Sequence, residues 1–422
     1  MKPRIFFPLL LAGLLMACNL SDTSTAGQTP TADLQASAQA TESVSGMAAK
    51  TVAVIQTGTA SAGVDAATAT PAAPTQAPGS AETGATPTLE PTLAVPDTVS
   101  QLITLENAPE LKPLQFFAAP ELRKVVFSAD SSMVAASSGN ESNFGVSVWR
   151  TGNGDLLHTF TQYSGIVWDA AFSPDGTLLA TVQDDPVHSV PVIASIWKLA
   201  DESLVASLNG LTSASTLAFS PDGTLLAIGG LVNWPNGTVW LYDTATWTVK
   251  RQLSASGENV TSLAFSPDGS VLVAGGTGGG IHVWKTGDGN LITTLNGGKQ
   301  ANDVAITVTA LPGSVLVASI TCDQGDSSGC TQGGVSVWNL NDKTKIQQFD
   351  DVAQSVAFSP DGNLLVTGSG TNDPAIRIRS TKNWAVLATF DKISNSVAFS
   401  PDGTFLASLN FDDLTLWGIP QK

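Results

Sequence analysis

The nine residues FSPDGTLLA at 172–180 return letter for letter at 219–227. The core of that stretch, FSPDG, also begins at Phe265, Phe358 and Phe399, and a degraded copy, FSADS, begins at Phe127. TALPGSVLVAS (309–319) resembles FSPDGSVLVAG (265–275), and taking it as a further copy gives seven units spaced 45, 47, 46, 44, 49 and 41 residues apart. Each unit reads as four short strands. The first ends in the motif (DAAFS, STLAFS, TSLAFS). Pro-Asp-Gly then turns the chain, because Pro presets φ, Asp bonds its own backbone and Gly takes the left-handed position. A second strand follows (TLLATV, TLLAIGG, SVLVAGG), and the third closes on an aromatic in six units (GVSVWR, IASIWK, TVWLYD, GIHVWK, GVSVWN, LTLWG), with AIRIRS in the sixth. A fourth is visible in DLLHTF, SLVASL and NLITTL.

Repeats of this length with four strands each predict an all-β fold, a seven-bladed propeller of four-stranded antiparallel blades. The alanine before each motif Phe (171, 218, 264, 357, 398) is expected at a crowded position between inner strands. The chain ends five residues after Trp417, so the last unit lacks a fourth strand of its own. LKPLQFF (111–117) repeats the spacing of WAVLATF (384–390) and is expected to supply it, with Pro113 tolerated on an outermost strand.

The units resemble WD-type repeats from about Gln101 to the end of the chain. They depart from that pattern in two respects: the third strands do not end in Trp-Asp, and the Gly-His pair is absent. The hydrogen-bonded tetrad of the family is therefore not expected, nor is any particular partner carried over.

The first hundred residues read differently. MKPRIFFPLLLAGLLMAC combines a basic start with an apolar run too short to span a bilayer, and Leu15-Met16-Ala17-Cys18 resembles the lipobox of bacterial lipoproteins. That resemblance implies cleavage after residue 17, acylation of Cys18, and a protein exported and held on the outer side of the cytoplasmic membrane, or in the outer membrane of a diderm. An ordinary signal peptide is the competing reading. Residues 18–100 are Ala, Thr, Ser, Gly and Pro with scattered acids and read as a flexible tether, with a transient helix expected within 32–56. The propeller is assigned to 101–422. Cys322 and Cys330 bracket CDQGDSSGC, which reads as a loop closed by a disulfide; zinc is the alternative, although no further Cys or His stands near.

Of the 422 residues, 42 % are hydrophobic and 13 % charged, with a net charge of −17, which argues against a nucleic-acid partner. No G-x-S-x-G elbow occurs, and the three histidines (His158, His188, His282) stand at unrelated positions. GGTGGG (275–280) lacks the Lys-Ser/Thr of a phosphate loop, and DQGDSSG (323–329) offers too few ligands for calcium. No enzyme, cofactor or metal is expected. What remains is recognition. The loops between second and third strands vary, those of units two (DDPVHSVPV, 184–192) and five being longest, whereas the Pro-Asp-Gly turns do not. Four residues before each motif position the chain carries Arg123, Trp168, Ser215, Thr261, Ala305, Gln354 and Asn395, a mostly polar ring with one Trp and one cation. Arg123, Phe144, Trp168, Trp234, Gln354 and Asn395 are accordingly the candidate binding residues, with an envelope protein as the expected partner of a monomer. A glycan or small ligand, an inert spacer, and an enzyme with an axial site are the alternatives.

Overall fold

Five of the Pro-Asp-Gly turns share one geometry. Gly176, Gly223, Gly269, Gly362 and Gly403 sit at φ between 68° and 72°, the left-handed region that a Cβ disfavours. Behind each Pro the serine closes the turn. The Ser173 hydroxyl donates to Asp175 Oδ1 (2.5 Å) and accepts from the Leu178 N–H (2.9 Å), while the Thr177 N–H donates to the same carboxylate (3.0 Å). The pattern recurs at Ser220, Ser266, Ser359 and Ser400. In the degraded copy Ser131 takes the glycine's place, at φ 60°.

The computed structural model describes residues 101–420, apart from 140–143, 164, 184–191, 210–212, 234–235, 256–258, 299, 309–313, 327–328 and 371–372. The expectations for the leader, Cys18, the tether and the helix within 32–56 lie outside the described residues, as do Trp234 and nearly all of DDPVHSVPV.

Seven four-stranded antiparallel sheets form the fold. From inner to outer strand, blade one is Leu122–Phe127, Met133–Gly139, Phe144–Arg150 and Leu156–Phe160. Blade two is Val167–Phe172, Leu178–Gln183, Val192–Lys198 and Leu204–Asn209. Blade three is Ser213–Phe219, Leu225–Asn233, Asn236–Asp243 and Thr248–Ala255. Blade four is Val260–Phe265, Val271–Gly276, Gly280–Lys285 and Leu291–Asn296. Blade five is Ala301–Val308, Val315–Asp326, Gly329–Asn339 and Thr344–Phe349. Blade six is Ala353–Phe358, Leu364–Ser369, Ile376–Ser380 and Val386–Phe390. Blade seven takes Ser396–Phe399, Leu406–Leu409 and Asp413–Gly418 from the end of the chain, and Lys112–Ala118 as its outermost strand. The expected closure is therefore present. The innermost strands neighbour one another around a complete circle.

The core lies between blades. At the first junction Val146, Val148 and Phe160 of blade one pack with Val167, Phe172, Leu179 and Trp197 of blade two. Second and third strands are covered on both faces, which explains their near-continuous apolar sequence. Outermost strands alternate instead: in Leu291–Asn296 only Leu295 is buried.

Two expectations are corrected here. The seventh copy of the motif is displaced from where sequence similarity sets it. Val317 stands opposite Trp338 as Leu272 stands opposite Trp284, and Asp303 pairs with Ile320 as Ser262 pairs with Gly275. Ile306, not Thr309, therefore takes the Phe position, and the hairpin that follows is four residues longer. The cysteine segment is also not a plain loop. The second and third strands of blade five run on to Asp326 and from Gly329, so both cysteines lie on strands. Cys322 faces Gly333 and Cys330 faces Gly325, which offsets the pair by three positions along the hairpin.

Candidate binding mouth of the channel

The innermost strands share a defect. Pairing with the second strand slips between Leu122 and Lys124, Val167 and Asp169, Ala214 and Thr216, Val260 and Ser262, Ala301 and Asp303, and Ala353 and Ser355. The extra residue at each bulge is Arg123, Trp168, Ser215, Thr261, Asn302 or Gln354. A bulge leaves its residue unpaired and re-aims the side chain, so the ring read from the sequence has a backbone cause. In blade five the position belongs to Asn302. Ala305 pairs with Ala318 further down the strand and lines the opposite end of the channel. In blade seven the equivalent Asn395 precedes the strand, its N–H donating to the Leu409 carbonyl (2.8 Å).

Arg123, Trp168, Ser215, Thr261, Gln354 and Asn395 together line a cavity of about 560 Å³ at one mouth of the channel. Trp168 is 37 % exposed. The Arg123 guanidinium stacks on its indole, 4.6 Å from the ring centre, and donates from Nε and Nη2 to the Gly139 carbonyl (3.3 and 3.1 Å). Burial holds the Arg123 pKa below its ordinary value, against the pull of Glu121. The Gln354 amide lies against Gly370, where a Cβ would collide with it. Phe144 is half-buried at the start of its strand, opposite Gly139, and is not among the residues lining the cavity. Phe411 is, with 51 % of its surface exposed. Sequence reasoning passed over it because its loop, between the second and third strands of blade seven, is short.

One residue further along each innermost strand stand Lys124, Asp169, Thr216, Ser262, Asp303, Ser355 and Ser396, a polar belt that the sequence reading did not single out. Asp169 reaches from blade two to blade three: its Oδ2 accepts from the Thr216 hydroxyl (3.0 Å) and the Leu217 N–H (3.1 Å). Asp303 spans three blades, accepting from the Ser262 hydroxyl (2.8 Å), the Ser355 hydroxyl (3.0 Å) and the Val356 N–H (3.1 Å). Ser355 accepts from the Val397 N–H (3.1 Å), and Ser396 from the Val125 N–H (3.3 Å). The physical need is plain. An innermost strand is a sheet edge, and a buried edge N–H without an acceptor is costly. Lys124 Nζ lies 3.7 Å from Asp303 Oδ1, and that carboxylate chiefly raises the lysine's pKa. Burial pushes Asp169 up, with Lys124 and the donated hydrogen bonds opposing. The belt fastens blade to blade, and its carboxylates are occupied by donors.

Lys124 and Asp169 also line the cavity at the other mouth, about 620 Å³, walled by the motif's Ala, Phe and Pro residues. The motif alanines meet this cavity as well as the neighbouring blade. Ala171, Ala218, Ala264, Ala357 and Ala398 are half-exposed and line that cavity. Each also packs against the core shared with the next blade, the tight inter-strand contact expected from the sequence, so small size serves that contact and the width of the channel together. The described histidines line neither cavity: His158, on the outermost strand of blade one, lies 3.1 Å from Glu202 in the turn before the outermost strand of blade two, and His282 stacks on Trp284.

Three stretches match the WD domain, G-beta repeat. They cover residues 154–186, 247–285 and 345–379. No curated protein matches the chain. Each WD match begins in or just before the outermost strand of one blade and continues through the inner strands of the next, so the repeat in sequence is out of phase with the blade in space. A repeat of that phase staples two neighbours together, and Lys112–Ala118 completes the pattern where the two ends of the repeat region meet.

The blades carry a reduced internal network. Trp197 Nε1 donates to Thr181 Oγ1 (3.3 Å) and Trp417 Nε1 to Ser408 Oγ (2.8 Å), which keeps the tryptophan and hydroxyl without a histidine. In blade six Arg379 stands where the aromatic belongs, opposite Leu365. It is buried, with Nη1 2.7 Å and Nη2 3.0 Å from the two oxygens of Asp351 and its guanidinium 4.5 Å from the Phe349 ring centre.

Proposed function

We propose that this protein is an exported, lipid-anchored propeller that binds a protein partner of the cell envelope through the mouth lined by Arg123, Trp168, Gln354 and Asn395. WD-repeat propellers are typically protein-interaction scaffolds and generally not enzymes. The observation that carries the reading is the convergence of bulge residues on one mouth, among them an indole that stays 37 % exposed while held by an arginine. Trp and Arg are the residue types that most often carry interface energy. The test is capture from envelope extracts with the full-length protein. Trp168→Ala and Arg123→Ala are expected to lower partner recovery with near-native melting; lost stability with intact recovery would assign both residues to the scaffold.

The anchor and the compartment rest on the LMAC sequence, and Cys18→Ser is expected to move the protein from the detergent phase to the soluble extracytoplasmic fraction. In that compartment a Cys322–Cys330 disulfide is expected, provided the hairpin tip closes the three-position offset. Unreduced peptides would then show a two-hydrogen mass deficit, and free thiols in fresh material would refute it.

A further inference from the structure

We infer that the mouth cavity recognises a neutral saccharide. This rests on the mouth being the binding surface and names the chemistry that would enter it. The cavity encloses about 560 Å³, and uncharged polar and aromatic side chains dominate its lining. Three carboxamides (Asn259, Gln354, Asn395), three hydroxyls (Ser213, Ser215, Thr261) and two aromatic side chains (Trp168, Phe411) make up most of it. Carboxamides both donate and accept, which matches the paired donor and acceptor character of vicinal sugar hydroxyls. An indole offers a flat apolar face for the C–H side of a pyranose ring.

Two further observations point to a ligand. Asn395 Nδ2 and Asn259 Oδ1, one donor and one acceptor, are buried and have no hydrogen-bond partner among the described residues. An unsatisfied buried amide is costly, and the broad χ2 of Asn lets a small rotation present it to an incoming hydroxyl. The charges of the mouth are already engaged. Arg123 is held by the Gly139 carbonyl and the indole, and Lys124 stands by Asp303. Among the described lining residues both cations have a partner and the Asp169 carboxylate stands with them, a balance that favours a neutral sugar over an anionic one. It could be a free polysaccharide of the envelope or a glycan carried by the protein partner, since both present the same surface.

The experiment titrates the detergent-solubilised full-length protein with chitotetraose, cellotetraose, maltotetraose and mannotetraose, followed by calorimetry and tryptophan fluorescence. At least one is expected to bind at or below about 1 mM. Trp168→Ala and Asn395→Ala should each weaken that binding about tenfold or more, a loss of about 1.4 kcal/mol, and Trp168→Phe, which keeps a ring, should retain part of it. Binding that survives both alanine variants, or no binding by any of the four in the millimolar range, would overturn the inference. A second arm treats captured partner with glycosidases. Capture lost on treatment places the sugar on the partner, and capture that persists but is competed by the tetrasaccharide places it in free polysaccharide. Capture that needs Trp168, survives glycosidases and is not competed would refute the saccharide while leaving protein docking at the mouth intact.

Discussion

Arg379 shows how much one substituted residue can demand of its surroundings. An aromatic side chain at this position in the other six blades needs packing and at most one hydrogen bond, whereas a buried guanidinium needs a counter-charge. Asp351 supplies it with both oxygens, and Phe349 supplies a ring face. Removing one partner of such a pair is far worse than removing both. Asp351→Ala is expected to destabilise by about 3–5 kcal/mol, and adding Arg379→Met should recover much of that. Urea unfolding of the single and double variants measures it, and equal midpoints for the wild type and Asp351→Ala would show that the pair contributes nothing. A cleaner backbone probe is Gly176, where a Cβ would meet nothing within 4 Å and only the φ of 68° opposes it. Gly176→Ala should therefore cost about 1–2 kcal/mol through conformation alone.

At the scale of the element, the repeated turn makes its own acid sensitivity. The Ser128, Ser173, Ser220 and Ser266 hydroxyls, followed by other donors, hold Asp130, Asp175, Asp222 and Asp268 below the usual carboxylate range. A carboxylate whose folded pKa is depressed contributes stability that is full above its unfolded value, about 3.9, and is lost as the pH falls through the folded value. The urea midpoint should thus drop below about pH 4, and a variant with Asn at 175, 222 and 268, which can still accept the same bonds, should drop less. An unchanged slope would mean that the turns are not where acid acts. The turns, the aromatic ends of the third strands and the closing strand were all readable in sequence, because each rests on local chemistry repeated in register. Three features were not. The polar belt is made of short side chains that look like surface residues until neighbouring edges supply their N–H groups. The alanines show the tight contact between blades but not the channel that they also line. In blade five the motif had lost its Phe, Asp and turn length together, so similarity in the second strand drew the copy three residues away from Ile306.

Over the whole propeller, stability depends on a ring whose last blade is assembled from both ends of the repeat region. Leu414 and Leu416 of the third strand in blade seven are fully buried and pair with Phe117 and Gln115 of the incoming strand. Deleting 112–118 is expected to uncover that edge and to promote self-association, read by light scattering. A soluble monomer with unchanged melting would show that another segment closes the ring. The mouth, too, exists only at this scale: Arg123 and Asn395 are 272 residues apart in sequence and line one cavity.

The path by which the chain enters the propeller gives it a mechanical polarity. Before becoming the outermost strand, it pairs Gln101 with Ile419, bonds the Ile103 N–H to the Gly403 carbonyl, and buries Ile103, Ala108 and Leu111 among Leu364, Ile376 and Trp417 where blades six and seven meet. Tension arriving from upstream must therefore draw out this apolar wedge before it can peel the strand that locks the circle. Blade seven is the fuse of the assembly. Beyond it, a sustained pull would meet six blades whose strands are each continuous in the chain, so opening begins at the seam and the mouth loses Asn395 and Phe411 first.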